Sequence, residues 1–144
     1  MWEEFQASGH HTPDTGYDAW HFSDSQVVAD ELAQLTASGR KQATSALLAL
    51  FTAGGEPLPN IGDYHIITDW EGRAVCIIEM TAVDVLPFDR VGSEHAFLEG
   101  EGERSLSYWR SVHRDCFAAD ARSVGLEFNE QMDVVCMRFV KRFP

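Results

Sequence analysis

Residues 64–85 constrain the fold more than any other stretch of the sequence. Two runs rich in β-branched and aromatic residues, 64–70 and 73–85, are separated by Glu71-Gly72, a dipeptide suited to a hairpin turn. Along the second run the side chains alternate, with Val75, Ile77 and Val83 on one face and Ala74, Cys76, Ile78 and Met80 on the other. Both faces are apolar. A strand of this kind belongs in the middle of a sheet or in the wall of a barrel, with other elements covering each side.

The rest of the chain supplies such elements. Phe22-Ser23-Asp24-Ser25-Gln26-Val27 offers a capping box, Ser23 with Gln26, and a staple from Phe22 to Val27, so a helix is predicted to start there. Val28, Leu32 and Leu35 continue an apolar stripe, and Gly39 stands where a left-handed residue would stop the helix. Ala43, Ala46, Leu47 and Leu50-Phe51 predict a second helix, closed by Gly54-Gly55, with Lys41 and Thr44 in its first turn. Residues 56–63 carry two prolines and a glycine and read as an extended connection or turn. Helices are predicted over 88–98 and 105–118, broken by Gly100 and Gly102, with Trp109, His113 and Phe117 on one face of the second. Residues 133–142 alternate as a strand, with Val134, Cys136, Arg138 and Val140 to one side, and residues 10–17 read as a loop. The expectation is one α+β domain over residues 1–144, a small barrel-like sheet packed by several helices, with residues 1–19 as an N-terminal helix and loop extension.

Composition narrows the function. With 144 residues, 44% of them hydrophobic and 24% charged, the chain matches a single globular domain burying about 68–70% of its unfolded surface. No apolar run approaches the roughly 18 residues of a membrane span, and the acidic N-terminus lacks the features of a signal peptide, so a cytoplasmic protein without a membrane partner is expected. Cys76, Cys116 and Cys136 form no close pair and read as reduced buried thiols. His10-His11 are adjacent and lack the i, i+4 spacing of helical metal ligands; no metal and no cofactor is expected. The net charge of −12 repels a phosphate backbone unless the basic residues cluster, whereas a nucleoside is compatible with it.

Several motifs point the same way. Tyr17-Asp18-Ala19-Trp20-His21-Phe22, Ala29-Asp30-Glu31-Leu32, Gly39-Arg40-Lys41-Gln42-Ala43-Thr44, Gly55-Glu56-Pro57-Leu58-Pro59 with Gly62-Asp63, and the run from His95-Ala96-Phe97-Leu98-Glu99-Gly100 to Tyr108-Trp109-Arg110-Ser111-Val112-His113 together resemble the ASCH domain family. The resemblance covers residues 2–143. It implies a PUA-like mixed β pseudo-barrel packed by several α-helices, since that family is similar to the PUA domains of RNA modification. Its members are proposed variously as RNA-binding modules, ribonucleases and amidohydrolases that remove the acetyl group of N4-acetylcytidine. The amidohydrolase members use a lysine, a threonine three residues later and a glutamate from a downstream His-Ala-x-x-Glu segment, which become Lys41, Thr44 and Glu99 on this chain. Two departures stand out: Ser45-Ala46-Leu47 where small members carry a basic residue, and Glu103 where several longer relatives carry aspartate.

On a helix, residues three apart share a face, so the Lys41 amine would reach the Thr44 hydroxyl and, if neutral, serve as its base. Burial and the positive end of the helix dipole favour the neutral amine; a neighbouring Glu99 charge opposes it. Backbone N–H groups at the helix start would stabilise the oxyanion, and Glu99 would pass a proton or hold the exocyclic nitrogen. Arg40, Glu101, Tyr108, Trp109, Arg110 and His113 are candidate substrate contacts. For Tyr108 and Trp109 the choice is between core packing and base stacking; for Arg110 and His113, between ordinary helix hydrogen bonds and phosphate or base contacts. Glu99, Glu101 and Glu103 form either a solvated turn or a bend whose Gly100 and Gly102 let the backbone approach a ligand; their carboxylates suit magnesium or manganese, but EF-hand spacing is absent. Glu79 is either a surface residue or a buried carboxylate with a partner. The functional expectation is a cleft for a cytidine-like base of a modified nucleoside or single-stranded RNA, with hydrolysis of an N4-acyl amide. The alternatives are a ribonuclease on single-stranded RNA and a non-catalytic RNA-binding module. The last requires Arg40, Lys41, Arg73, Arg90, Arg104, Arg110, Arg114, Lys141 and Arg142 to converge.

Overall fold

The apolar hairpin forms the spine of the molecule. The computed structural model describes residues 1–10 and 16–144. In chain order the elements are α1 (Trp2–Ala7), β1 (Asp18–Trp20), α2 (Gln26–Ala37), β2 (Ala43–Leu47), α3 (Leu48–Gly54), β3 (Tyr64–Thr68), β4 (Ala74–Pro87), a 3-10 turn (Phe88–Arg90), α4 (Ser93–Glu99), α5 (Leu106–Ser123) and β5 (Asp133–Phe143). The strands make one sheet in the order β1-β3-β4-β5-β2. β1 runs parallel to β3, and the other neighbours are antiparallel.

Two register shifts in β4, after Ile77 and after Met80, bend this sheet. The second carries Val83 over to the side of Cys76, Ile78 and Met80, correcting the strict alternation that placed it opposite them. The sheet curls into a half-barrel, so that residues beside both edges, Trp20 and Phe22 near β1 and Thr44 and Ala46 of β2, line one cleft. Inside it Phe22, Leu32, Ile67, Ile78, Met80, Val135 and Phe139 pack together. Outside, α4 and α5 bring Ala96, Trp109 and Phe117 against Leu47, Val134 and Cys136. α1 seals the far end through Phe5 against Ile66 and Ile77.

Several local expectations need correction, among them the burial of all three thiols, since Cys116 lies exposed on α5. Ser25, not Ser23, precedes the first residue of α2; Ser23 has φ of +59°, outside the extended conformation of a cap, and its hydroxyl accepts from the Ser25 N–H at 3.2 Å. Val27 is 76% exposed, so no staple forms, and the buried stripe runs through Ala29, Leu32, Ala33 and Thr36 rather than Val28. The helix predicted from residue 40 does not start there. Residues 43–47 pair instead with β5, Ala43 opposite Arg138 and Leu47 opposite Val134, and the helix begins only at Leu48. The segment predicted as a helix over 88–98 divides at Val91-Gly92 into the 3-10 turn and α4. The stops at Gly39 and Gly55 are left-handed as expected, with φ of +82° and +65°. Asp18 and Ala19, at the end of the expected extension, belong to β1. Of the predicted loop 10–17, residues 11–15 lie outside the described residues. Among the described residues no helix is long and apolar enough to cross a membrane.

Candidate functional site

The segment Arg40-Lys41-Gln42 is threaded between the end of α2, the end of α4 and β5. Lys41 N donates to Leu35 O at 3.0 Å, Gln42 N to Leu98 O at 2.7 Å, and Phe139 N to Gln42 O at 3.0 Å. The bend after α4 comes so close that a Cβ on Gly100, at φ of +73°, would lie 2.5 Å from Arg40 O. Arg40 locks this contact by donating from Nε to Gly100 O at 2.8 Å and from Nη2 to Gly102 O at 3.0 Å.

This threading drives the Lys41 side chain inward, where it is 2% exposed, to meet Glu99, also 2% exposed. Nζ donates to Glu99 Oε1 at 3.3 Å, Glu99 O at 3.4 Å and Glu101 Oε2 at 3.0 Å, and sits 5.2 Å from the centre of the Phe22 ring. The other carboxylate oxygen of Glu99 accepts from Ser45 Oγ at 2.7 Å and from Trp109 Nε1, with His95 Nε2 at 3.2 Å and His113 Nε2 at 3.6 Å. Because Ser45 spends its proton on Glu99, its 2.6 Å contact with His95 Nε2 places a proton on that nitrogen. Burial opposes the charge on Glu99, but the Lys41 ammonium, the His95 hydrogen bond and the fields of His113 and His95 outweigh it and hold the carboxyl well below the usual carboxylate range. Ser45 pairs across the sheet with Cys136, whose thiol burial and Glu99 push up to about 12, so it stays a neutral neighbour.

Beside this cluster lies the cleft between the sheet edges, about 820 Å³ in volume. That is within the range of small-molecule sites, roughly 300–1,000 Å³. Trp20, Phe22, Phe51, Leu58 and Met80 supply apolar surface, and Thr44, Ser45, Asn60 and His65 supply polar groups. Its described lining includes Asp18, Glu56 and Asp63 and no lysine or arginine. The wall formed by residues 56–63 is the extended connection expected, and it is stitched to the second β4 bulge by Gly62 N to Met80 O at 2.8 Å and Met80 N to Asp63 O at 2.9 Å. Ser45 belongs to both places: its hydroxyl contacts the buried cluster, and the residue is among those that line the cleft.

Of the residues singled out by sequence, Lys41, Glu99 and Glu101 come together. Thr44 lines the cleft, and its hydroxyl makes no hydrogen bond to a described residue. Trp109 is 2% exposed and stacked on His113 at 4.2 Å and on Phe88 at 5.3 Å, the core-packing alternative of the two open for it. His113 donates from Nδ1 to Trp109 O at 2.8 Å, and Arg110 reaches Asp89 O at 3.4 Å. Tyr108 covers Gly102, whose added Cβ would lie 2.4 Å from that ring; the close approaches at Gly100 and Gly102 are therefore to the chain itself. None of Tyr108, Trp109, Arg110 and His113 lines the cleft. Glu79 pairs with Arg142 at 2.6 Å. Among the described residues no three His, Cys, Asp or Glu side chains converge as metal ligands. Ser45, His95 and the cleft residues Trp20 and His65 were missed. Reading 41–47 with a period of two would have placed Ser45 beside Lys41; nothing in the sequence pointed to His65.

A model of the ASCH domain matches residues 18–141. The crystal structure of an ASCH domain from Lactobacillus crispatus JV V101 superposes with a TM-score of 0.92 at 30% identity, covering 99% of this chain and 92% of the other. A protein from Enterococcus faecalis V583, described by the family model DUF984, superposes with a TM-score of 0.87 at 32% identity over 97% of this chain and 84% of its own. A hypothetical protein at 16% identity, TM-score 0.56, covering 88% of this chain and 99% of its own, shares the fold alone. No curated protein matches the chain significantly.

Proposed function

The chain belongs to the ASCH domain family, a family linked to RNA-related functions, and from that premise we propose that it binds a cytidine-like base in the cleft between its sheet edges and hydrolyses the N-acyl amide of N4-acetylcytidine-type nucleosides. One observation carries this reading: a single short segment delivers Lys41 to a buried carboxylate and Thr44 and Ser45 to the wall of the cleft. In this scheme the unengaged Thr44 hydroxyl attacks the acyl carbon, the C–N bond breaks, and the hydroxyl proton ends on the departing 4-amino nitrogen; water then releases the acid. The Lys41 ammonium donates a proton to the departing nitrogen and regains the one that Thr44 loses, so its charge is the same before and after the step. Glu99 orients Lys41 and Ser45. As a carboxylate held below its usual range it is a weak base.

The distribution of positive charge favours a nucleoside over a long RNA. Arg73, Arg114, Arg138 and Arg142 are each paired with a carboxylate, Lys41 is buried with two, and Arg40, Arg104 and Lys141 donate to backbone carbonyls. A ribonuclease or RNA-binding module would need such groups free and aligned.

The test is to incubate the pure protein with N4-acetylcytidine and follow the appearance of cytidine. Turnover that disappears in Thr44→Val and Lys41→Met, both checked for folding, supports the proposal. No cytidine from N4-acetylcytidine or its N-acyl homologues overturns it.

A further inference from the structure

His65 carries a donor that the protein itself leaves unused. It lies on β3 opposite Asp18 of β1, is 6% exposed and borders the cleft. Trp20 Nε1 donates to its Nδ1 at 3.0 Å, so Nδ1 serves as an acceptor. Burial pushes the imidazole below its usual pKa, against the pull of Asp18 and Asp63, and the ring is neutral. A neutral imidazole whose Nδ1 accepts must carry its proton on Nε2. That Nε2 is buried and has no hydrogen-bond partner among the described residues. Buried N–H groups are rarely left without an acceptor; this one is shielded from water on a residue that lines the cleft, and a small movement of that wall brings it to an acceptor from a ligand.

The charge of the cleft restricts what that acceptor can be. Asp18, Glu56 and Asp63 line it and no described cation offsets them, so an anionic group is repelled. We propose that His65 is a specificity-determining residue of the cleft, donating its Nε2–H to a carbonyl oxygen or ring nitrogen of an uncharged heterocycle, while the lining carboxylates reject phosphorylated forms of the same compound. Trp20 is a positioning residue, fixing the tautomer. This rests on the reading that the cleft receives a nucleobase, and it adds which residue reads the base and which charge state of ligand enters.

The experiment uses the full chain with 15N-labelled histidine and the probes cytidine, N4-acetylcytidine, cytidine 5′-monophosphate and 2-pyridone, a small uncharged cyclic amide. The free protein is expected to show His65 as the Nε2–H tautomer, and cytidine or N4-acetylcytidine is expected to shift the Nε2 resonance. His65→Phe should weaken nucleoside binding about tenfold, an effect of the size of one lost hydrogen bond to an uncharged partner. His65→Gln, which returns an N–H close to the Nε2 position, should recover most of it. The 5′-monophosphate should bind at least about tenfold more weakly than cytidine, through charge repulsion. The wild-type resonance provides the readout even if His65→Phe fails to fold. If a nucleoside binds and moves other cleft resonances while Nε2 stays still, the role of His65 is overturned and the nucleobase reading stands. If neither nucleoside binds but 2-pyridone shifts Nε2, the donor role stands and the cytidine reading falls. If no probe moves Nε2, or if the monophosphate binds as tightly as cytidine, the proposal is overturned.

Discussion

Lys41 and Glu99 each hold a buried charge that the other helps to offset, with Glu101 beside the amine and Ser45, Trp109 and His95 beside the carboxylate. Removing one leaves its partner less compensated. Lys41→Met is expected to lower unfolding stability by about 3–5 kcal/mol in urea denaturation, and Lys41→Met with Glu99→Leu by clearly less than the sum of the two single changes. The pH dependence follows from the same pair. The carboxyl of Glu99 is held below its ordinary value of 4.5 in the folded state, so the unfolded state takes up the proton first as pH falls. Its contribution to stability is complete above about pH 5 and is lost as the pH falls through 4.5 toward the folded value. Urea midpoints measured from pH 7 down to pH 3 should drop more steeply for the wild type than for Glu99→Gln. At this scale the sequence singled out Lys41 and Glu99, which the fold brings together. It did not identify Ser45, whose part depends on strand pairing with a distant segment.

At the scale of elements, β2 shows what local pattern leaves undecided. Ala43, Ala46, Leu47 and Leu50 lie at helical spacing, and alanine favours helix, yet β5 presents an edge that takes residues 43–47 as a strand. Tertiary pairing overrode propensity, and Thr44 therefore faces a cleft instead of a helical turn. Elements fixed by their own chemistry were readable: the hairpin of β3 and β4, the stops at Gly39 and Gly55, and the α5 face built on Trp109 and Phe117. The α2 start was misread because Ser23 and Ser25 are both acceptable caps by composition, and only the backbone conformation separates them. The junction between the α4 bend and residue 40 can be tested through its glycine. Gly39 and Gly100 both have positive φ, but a side chain at 39 meets open space and one at 100 meets Arg40 backbone. Gly39→Ala should cost about 1 kcal/mol, as expected from conformation alone. Gly100→Ala should cost about 2–4 kcal/mol, with the excess coming from separation of the two segments. Thermal denaturation of the two variants compares them directly.

For the molecule as a whole, the net charge of −12 was visible in the composition, but its arrangement was not. Pairing of arginines with carboxylates across elements, such as Arg114 with Glu130 and Arg138 with Glu94, depends on folding and offsets part of the positive charge, while Arg90 and Arg122 have no ion-pair partner among the described residues. Long single-stranded RNA should accordingly bind weakly. In anisotropy titrations between 50 and 200 mM salt, the slope of log affinity against log salt should stay below about 2 in magnitude, the value for two or three neutralised phosphates. The curl of the sheet also bears on how the protein is made. β5 joins β4 on one side and β2 on the other, and Ser45 reaches its cross-strand neighbour Cys136 only when that strand arrives. Before β5 pairs, β4 carries a bare edge and β2 has no strand partner. Closure of the half-barrel thus waits for β5, and until that strand pairs, β4 and β2 each keep an open edge.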